Sequence, residues 1–297
     1  MNFKQTGVVP ALLTMFNRGG RKIDVDATLE LARWLVKKGV SGLFVNGTTG
    51  EGLIMSVEER KMMAETILEA CGDKIPITVH TGSVSGLETV ELTRHAHDIG
   101  ANAASAVMPF YHRQDGRAIE NYYRKIAAAA PKLPLLIYNL PSCTGTDLSA
   151  PLAVRLVETV DNIVGVKESS GSLVKIQDLL RLSNGKVCVG CGEDLLTLPA
   201  LLTGASFSVT GVSNVFPEPF VATHKAFHNG DMARAKRSQR RIVDACNAAE
   251  RARLIAVFKE ALRLRGLPTG SVRLPNRELT RTEKKAVARR LKELGFI

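Results

Sequence analysis

The sequence predicts a (β/α)8 barrel, an α/β fold, with a helical extension at its C-terminal end. Three observations carry that expectation. The chain has 297 residues, long for one ordinary domain and suited to a barrel with an addition. Short apolar runs alternate eight times with amphipathic stretches, at a repeat of roughly 20–35 residues that fits parallel strands joined by right-handed helical crossovers. No Gly-x-Gly-x-x-Gly follows the first run, so nothing favours an open dinucleotide-binding sheet over a closed barrel.

The elements follow in order. Residues 7–14 read as the first strand, and 24–38 as an amphipathic helix with Leu29, Ala32, Trp34, Leu35 and Val36 at its apolar positions, stopped by Gly39. A buried strand at 42–46 runs straight into Gly47-Thr48-Thr49-Gly50-Glu51-Gly52. Ser56 then caps a helix, and Glu59 three residues on completes a capping box. Strands at 75–80, 103–108 and 133–139 precede helices at 86–99, 117–130 and 150–159. Strands at 163–167, 187–189 and 207–210 complete the eight, with helices at 173–182 and 195–202 between them. Beyond Pro217 only helices are expected, at 220–229, 231–264 and 282–294, broken at 266–270 and at Leu274-Pro275-Asn276. We take 1–230 as the barrel domain and 231–297 as a helical appendage packed on it.

Composition narrows the function. Hydrophobic content of 45% and charged content of 23% fit a globular protein with a sizeable core. Five cysteines are an odd number without framework spacing, which fits reduced thiols. Cys188 and Cys191 are three apart on a strand and therefore face opposite ways, which argues against a metal or redox pair. The first residues form no secretory apolar run, and no stretch reaches the roughly 18 apolar residues of a membrane span, so a cytoplasmic protein is expected. The net charge is +11, and all of the excess lies in residues 231–297, where 18 Lys and Arg face 7 Asp and Glu. A basic helical tail is one route to nucleic acid. No finger, RNP or basic-zipper pattern accompanies it, however, and its charges fall on the polar sides of amphipathic helices. A solvated face is expected there instead.

In barrels of this kind the active site lies at the C-terminal ends of the strands. That rule selects the 47–52 loop, Pro109-Phe110-Tyr111, Tyr138-Asn139-Leu140-Pro141 and Lys167. A lysine at a strand end commonly just reaches water. Turned into a cleft, it loses solvation, its pKa falls, and the free amine can attack a ketone. Tyr138 ends the neighbouring apolar run and would serve such a lysine as a proton shuttle. The glycines around Thr48 and Thr49 permit backbone amides and hydroxyls to close on a carboxylate.

Taken together and in this order, Gly47-Thr48-Thr49-Gly50-Glu51, Pro109-Phe110-Tyr111, Tyr138-Asn139-Leu140-Pro141 and Gly165-Val166-Lys167-Glu168 resemble the motifs of the dihydrodipicolinate synthase/N-acetylneuraminate lyase family of class I aldolases. The similarity continues into residues 259–266 and 272–275. It implies that Lys167 forms a Schiff base with pyruvate or another 2-oxo acid. Tyr138 would carry protons, linked through Thr48 to a Tyr111 supplied by the neighbouring subunit of a homotetramer built from dimers. Gly47, Thr49 and the loop amides would hold the substrate carboxylate, and the carbonyl of Phe207 would line the pyruvate pocket. No metal or cofactor is implied.

The chain departs from the family pattern at two places. Members that condense pyruvate with aspartate semialdehyde carry an arginine just after Tyr-Asn-x-Pro, where this chain has Cys143. A thiol has neither the charge nor the bidentate fork, and a hydrogen bond to a charged group contributes on the order of 1.5–3 kcal/mol. Sialic acid lyases place a glutamate after the position of Asp194, where this chain has Leu195. The expected activity is therefore aldol cleavage or condensation of a 2-keto-3-deoxy sugar acid or a related hydroxy-2-oxo acid, or its dehydration. Ser169 and Glu193 are the candidates to meet its hydroxyls. Condensation with aspartate semialdehyde is the alternative, and a non-catalytic nucleic-acid binder using the basic helices is a third reading of another class.

Overall fold

A computed structural model describes residues 3–249 and 254–297. Eight strands, β1 (Gly7–Pro10), β2 (Leu43–Val45), β3 (Ile77–His80), β4 (Ala103–Val107), β5 (Leu135–Asn139), β6 (Ile163–Glu168), β7 (Cys188–Cys191) and β8 (Phe207–Thr210), run parallel in the order β1-β8-β7-β6-β5-β4-β3-β2. A parallel bridge from Ala11 to Phe44, with Leu12 N–H donating to the Phe44 carbonyl at 2.9 Å and Ser41 N–H to that of Val8 at 2.7 Å, brings β1 against β2 and closes the ring. The barrel read from the sequence is the observed fold.

Helices α1 (Val25–Lys37), α2 (Val57–Cys71), α3 (Gly86–Asp98), α4 (Gly116–Ala129), α6 (Ala150–Thr159), α7 (Leu173–Leu182), α8 (Thr197–Thr203) and α9 (Pro217–His228) form the outer layer, and α5 (Pro141–Thr144) is a single turn. Their starts follow capping chemistry: Asp24, Ser85, Asp115 and Ser172 each accept a hydrogen bond from the amide three residues on, and Ser56 with Glu59 forms the expected box. Three more helices follow, α10 (Met232–Ala248), α11 (Ile255–Leu264) and α12 (Arg281–Glu293). The single helix expected over 231–264 is thus two. Its residues 250–253 lie outside the described residues, and Leu254 is extended, which a continuous helix does not allow. Residues 256–262 of α11 are buried on every side, and such a helix belongs inside the fold rather than on its surface. Among the described residues no helix is long and apolar enough to cross a membrane, and no cysteine forms a disulfide.

The period-two alternation of the strands sorts side chains into two layers. Val9, Ala11, Phe44, Val107, Leu136, Tyr138, Val164, Phe207 and Val209 pack together inside the barrel, while Leu43, Val45, Leu135, Ile137, Ile163 and Val166 belong to the layer beneath the helices. Cys188 packs with the inner set and Cys191 with the outer, as their spacing implies.

One strand breaks the alternation. On β6, Val164 faces in and Val166 faces out, because a register shift sets Ile163 against Leu135 but Gly165 against Leu136. This bulge inserts one residue and reverses the facing of everything after it. Without it Lys167 would lie under the helices. Gly165 makes the bulge possible, since a Cβ there would sit 2.0 Å from the Cys188 carbonyl oxygen. Gly165→Ala should therefore lower the unfolding free energy by about 1–3 kcal/mol, as overpacked core positions do, measured by urea denaturation. An unchanged midpoint would show that the bulge does not depend on glycine.

Candidate active site

Lys167 projects from β6 into the barrel and is 3% exposed. Its Nζ lies 3.9 Å from the ring centroid of Phe44 and 3.8 Å from that of Tyr138. Two ring faces attract a cation, but they do not replace the water it has lost. Burial accordingly pushes the amine down to about 7, opposed only by the charge of Asp194. Near neutral pH a large share of Lys167 is free base.

Tyr138 is paired in register with Lys167 and is also 3% exposed. Its hydroxyl lies 3.3 Å from Thr48 Oγ1. Burial pushes the phenol up to about 12, so it keeps its proton and is poised to lend it. The hydroxyl of Ser169 is close enough to temper that shift, yet it stops short of hydrogen-bond geometry and has no hydrogen-bond partner. It is packed against Gly192, where a Cβ would sit 1.8 Å from Ser169 Oγ.

The loop after β2 is folded tightly beside this pair. Asn46 and Glu51 have φ of 61° and 57°, and Glu51 N–H and Gly52 N–H donate to the carbonyls of Thr48 and Gly47 at 3.0 and 3.1 Å. The amides of Thr48, Thr49 and Gly50 donate to no acceptor among the described residues, and consecutive unpaired amides are the kind of group an anion can use. Glycine is required at 47 and 50 because a Cβ would meet the Phe44 ring at 2.8 Å and the Leu12 carbonyl oxygen at 2.6 Å. Thr49 Oγ1 reaches toward Gly211 beyond β8.

Asp194, which follows β7, accepts hydrogen bonds from Val212 N–H at 2.8 Å and Gly211 N–H at 3.3 Å. Part of the residue opens to a pocket, but the carboxylate is turned inward, and burial raises it to about 6 against the pull of the amides. The pocket has a volume of about 420 Å³ and is lined by Gly171, Glu193, Asp194, Leu195, Leu196, Val212 and Cys246. His80, at the end of β3, sets its ring edge-on to Tyr138 with centroids 5.7 Å apart. It accepts from Val107 N–H at 3.3 Å through Nε2, and Nδ1 lies 3.1 Å from the Asn46 carbonyl, an arrangement that suits a neutral imidazole. Burial and the nearby Arg60 hold its pKa well below the usual range.

The structure therefore brings Lys167, Tyr138, Thr48, Gly47, Thr49 and Ser169 to one end of the barrel. Phe207 belongs to the same inner layer, in register with Gly190, which is itself in register with Lys167. Glu193 lines the pocket and turns its carboxylate onto Leu195 N–H at 3.4 Å. Cys143 is exposed on α5, close enough for Tyr138 to feel it. Tyr111 is not brought to Thr48 among the described residues: it is 85% exposed, has a left-handed φ of 72°, and lies edge-on to His112 at 5.0 Å. Sequence reasoning missed Asp194 and His80, although the strand-end rule that selected Lys167 also covers the ends of β3 and β7.

The sequence model of the dihydrodipicolinate synthetase family matches residues 4–294. A 4-hydroxy-tetrahydrodipicolinate synthase of Moorella thermoacetica is 36% identical over 290 residues, covering 98% of both chains. The crystal structure of YagE, a prophage protein of Escherichia coli K12 belonging to the dihydrodipicolinic acid synthase family and solved with pyruvate, superimposes with a TM-score of 0.92 at 29% identity over 98% of this chain and 99% of that one. A sialic acid aldolase of Ruminococcus gnavus gives 0.92 at 29% identity, covering 99% and 98%, and its catalytic lysine mutant gives 0.91.

The buried amine has a thermodynamic signature. Lys167 titrates near 7 in the folded protein and near 10.4 when unfolded. Between those values the unfolded chain binds more protons, so this residue makes stability rise with pH, and below 7 its full cost is present. Lys167→Met should raise the unfolding free energy at pH 7 by up to about 4 kcal/mol, with the gain shrinking toward pH 10. Thermal denaturation of both proteins from pH 6 to 9 checks this; equal stability throughout would mean a hydrated, charged amine.

Proposed function

The chain belongs to the dihydrodipicolinate synthetase family, and on that footing we propose that it is a class I aldolase or lyase that binds 2-oxo acids through a Schiff base at Lys167. The observation that carries this reading is the amine itself, buried against Phe44 and Tyr138 and lowered to about 7. Free Lys167 attacks the C2 carbonyl of the bound 2-oxo acid, and the carbinolamine loses water with Tyr138 delivering the proton. The resulting iminium draws electrons from C3. In cleavage the C3–C4 bond breaks as the C4 hydroxyl gives its proton to the Tyr138 phenolate, releasing an aldehyde and leaving the pyruvate enamine. Protonation at C3 and hydrolysis then free pyruvate and lysine. Condensation is the same path reversed. The amides of Thr48, Thr49 and Gly50, without an acceptor among the described residues, would hold the substrate carboxylate.

The side pocket supports a hydroxylated tail. Its lining includes the acidic Glu193, and among the described residues it has no lysine or arginine to pair with a second carboxylate. A 2-keto-3-deoxy sugar acid or related hydroxy-2-oxo acid fits that chemistry. The names of the synthase relatives favour a second reading, condensation of pyruvate with aspartate semialdehyde, which Cys143 opposes because it supplies no positive charge. The proposal includes a cytoplasmic homotetramer built from dimers, in which the exposed Tyr111 of one subunit completes the Thr48–Tyr138 relay of another.

Borohydride reduction in the presence of pyruvate should add one adduct per chain at Lys167, seen by intact and peptide mass spectrometry; Lys167→Ala should add none. An adduct elsewhere, or none in the parent protein, rejects the reading. Tyr138→Phe should keep the adduct yet lose about 10²- to 10⁴-fold in turnover, the usual size of a proton-transfer contribution. Turnover of aspartate semialdehyde should be poor and should improve roughly tenfold or more in Cys143→Arg. Efficient use of that aldehyde by the parent would reverse the order of the two readings.

A further inference from the structure

Glu51 is an acidic residue with almost no side-chain exposure, and it holds a left-handed φ of 57° that a residue with a Cβ adopts only under constraint. The constraint comes from the C-terminal segment, helix α11 and the stretch that follows it. Glu51 Oε1 accepts from Lys259 Nζ at 2.6 Å, and Oε2 accepts from Arg273 N–H at 3.0 Å and Asn276 Nδ2 at 2.8 Å. Lys259, on α11, is 3% exposed and also donates to the Ser271 carbonyl at 2.7 Å. Arg273 continues the grip with a two-point contact to Glu59 at 2.5 and 2.8 Å, and Glu59 is the capping-box residue of the helix that leaves this loop. The whole turn from loop to helix is therefore held from outside the barrel.

A buried ion pair is a poor means of adding stability, since apolar residues of like volume commonly serve as well or better. It does fix geometry. Glu51 N–H holds the carbonyl of Thr48 at 3.0 Å, and the hydroxyl of Thr48 touches Tyr138 at 3.3 Å. We propose that Glu51 and Lys259 are positioning residues, a clamp through which the C-terminal helices set Thr48 against Tyr138 and so govern proton transfer at the captured substrate. The clamp acts on proton-transfer rates through the relay and leaves the equilibrium amount of imine at Lys167 unchanged. It rests on the Schiff-base reading given above.

Pyruvate alone serves as the probe, through exchange of its C3 hydrogens for deuterium followed by NMR, alongside borohydride trapping and thermal melting. In Glu51→Gln/Lys259→Met, which removes both charges together, the trapped adduct at saturating pyruvate should match the parent. The exchange rate should fall roughly tenfold or more, the scale of a misplaced catalytic group. Asn276→Ala removes one donor from the half-buried edge of the clamp and should slow exchange about threefold; it decides the matter if the double variant does not fold. Arg277→Ala, which breaks the exposed pair with Glu283 in the same appendage, should leave exchange at the parental rate. Folded clamp variants exchanging within twofold of the parent, or slowed no more than Arg277→Ala, overturn the clamp alone. A parent protein that traps no pyruvate overturns the Schiff-base reading, and the clamp with it.

Discussion

A primary amine held in a nearly dry barrel is the constraint on which the rest of this molecule depends. Removing water moves every ionisable group at the site toward its neutral form. Lys167 falls to about 7, Tyr138 rises to about 12 and Asp194 rises to about 6. One physical cause thus prepares a base and an acid side by side, an amine with a lone pair and a phenol with its proton, without any ion pair between them. The cost is stability, since an uncharged lysine in the core offers less than an apolar side chain would. The inner layer of Phe44, Val107, Phe207 and Val209 offsets that cost by packing, and Gly190 makes room for the Phe207 ring, which a Cβ would meet at 2.4 Å.

Facing is as important as burial. The bulge at Gly165 separates a lysine that faces the barrel interior from one lodged beneath the helices, and it sits two residues before the amine. The same economy appears in the loop after β2, where glycines admit close packing of backbone against Phe44 and Leu12 and leave three amides unused. Neither feature adds a functional group. Both decide where existing groups point.

Much of this was legible in the sequence because it is written locally. Strand and helix runs are set by apolar spacing, and the starts of α1, α2 and α7 by Asp24, Ser56 and Ser172. Lys167, Tyr138 and Thr48 stand at strand ends, so a rule about barrels was enough to single them out. What stayed hidden is non-local. Strict alternation through residues 163–167 would place Lys167 opposite Val164, and only the register shift against β5, which sequence spacing does not announce, puts both on the inner face. The break between α10 and α11 has no proline or glycine to announce it. Leu254 is extended where α11 turns inward to be buried. Tyr111 has a recognisable motif but is 85% exposed and lies edge-on to its neighbour His112, so no contact with Thr48 or Tyr138 within the described residues singles it out.

The distance along the chain between Glu51 and its partners sets an order of events during synthesis. Lys259 lies 208 residues downstream and Asn276 lies 225. A nascent polypeptide can therefore pair its first strands while the ribosome is still reading, but the turn at Glu51 stays unfastened until these distant residues have been made. A product that stopped short of Lys259 would carry β6 and its lysine yet leave the buried Glu51 carboxylate without the cation that meets it.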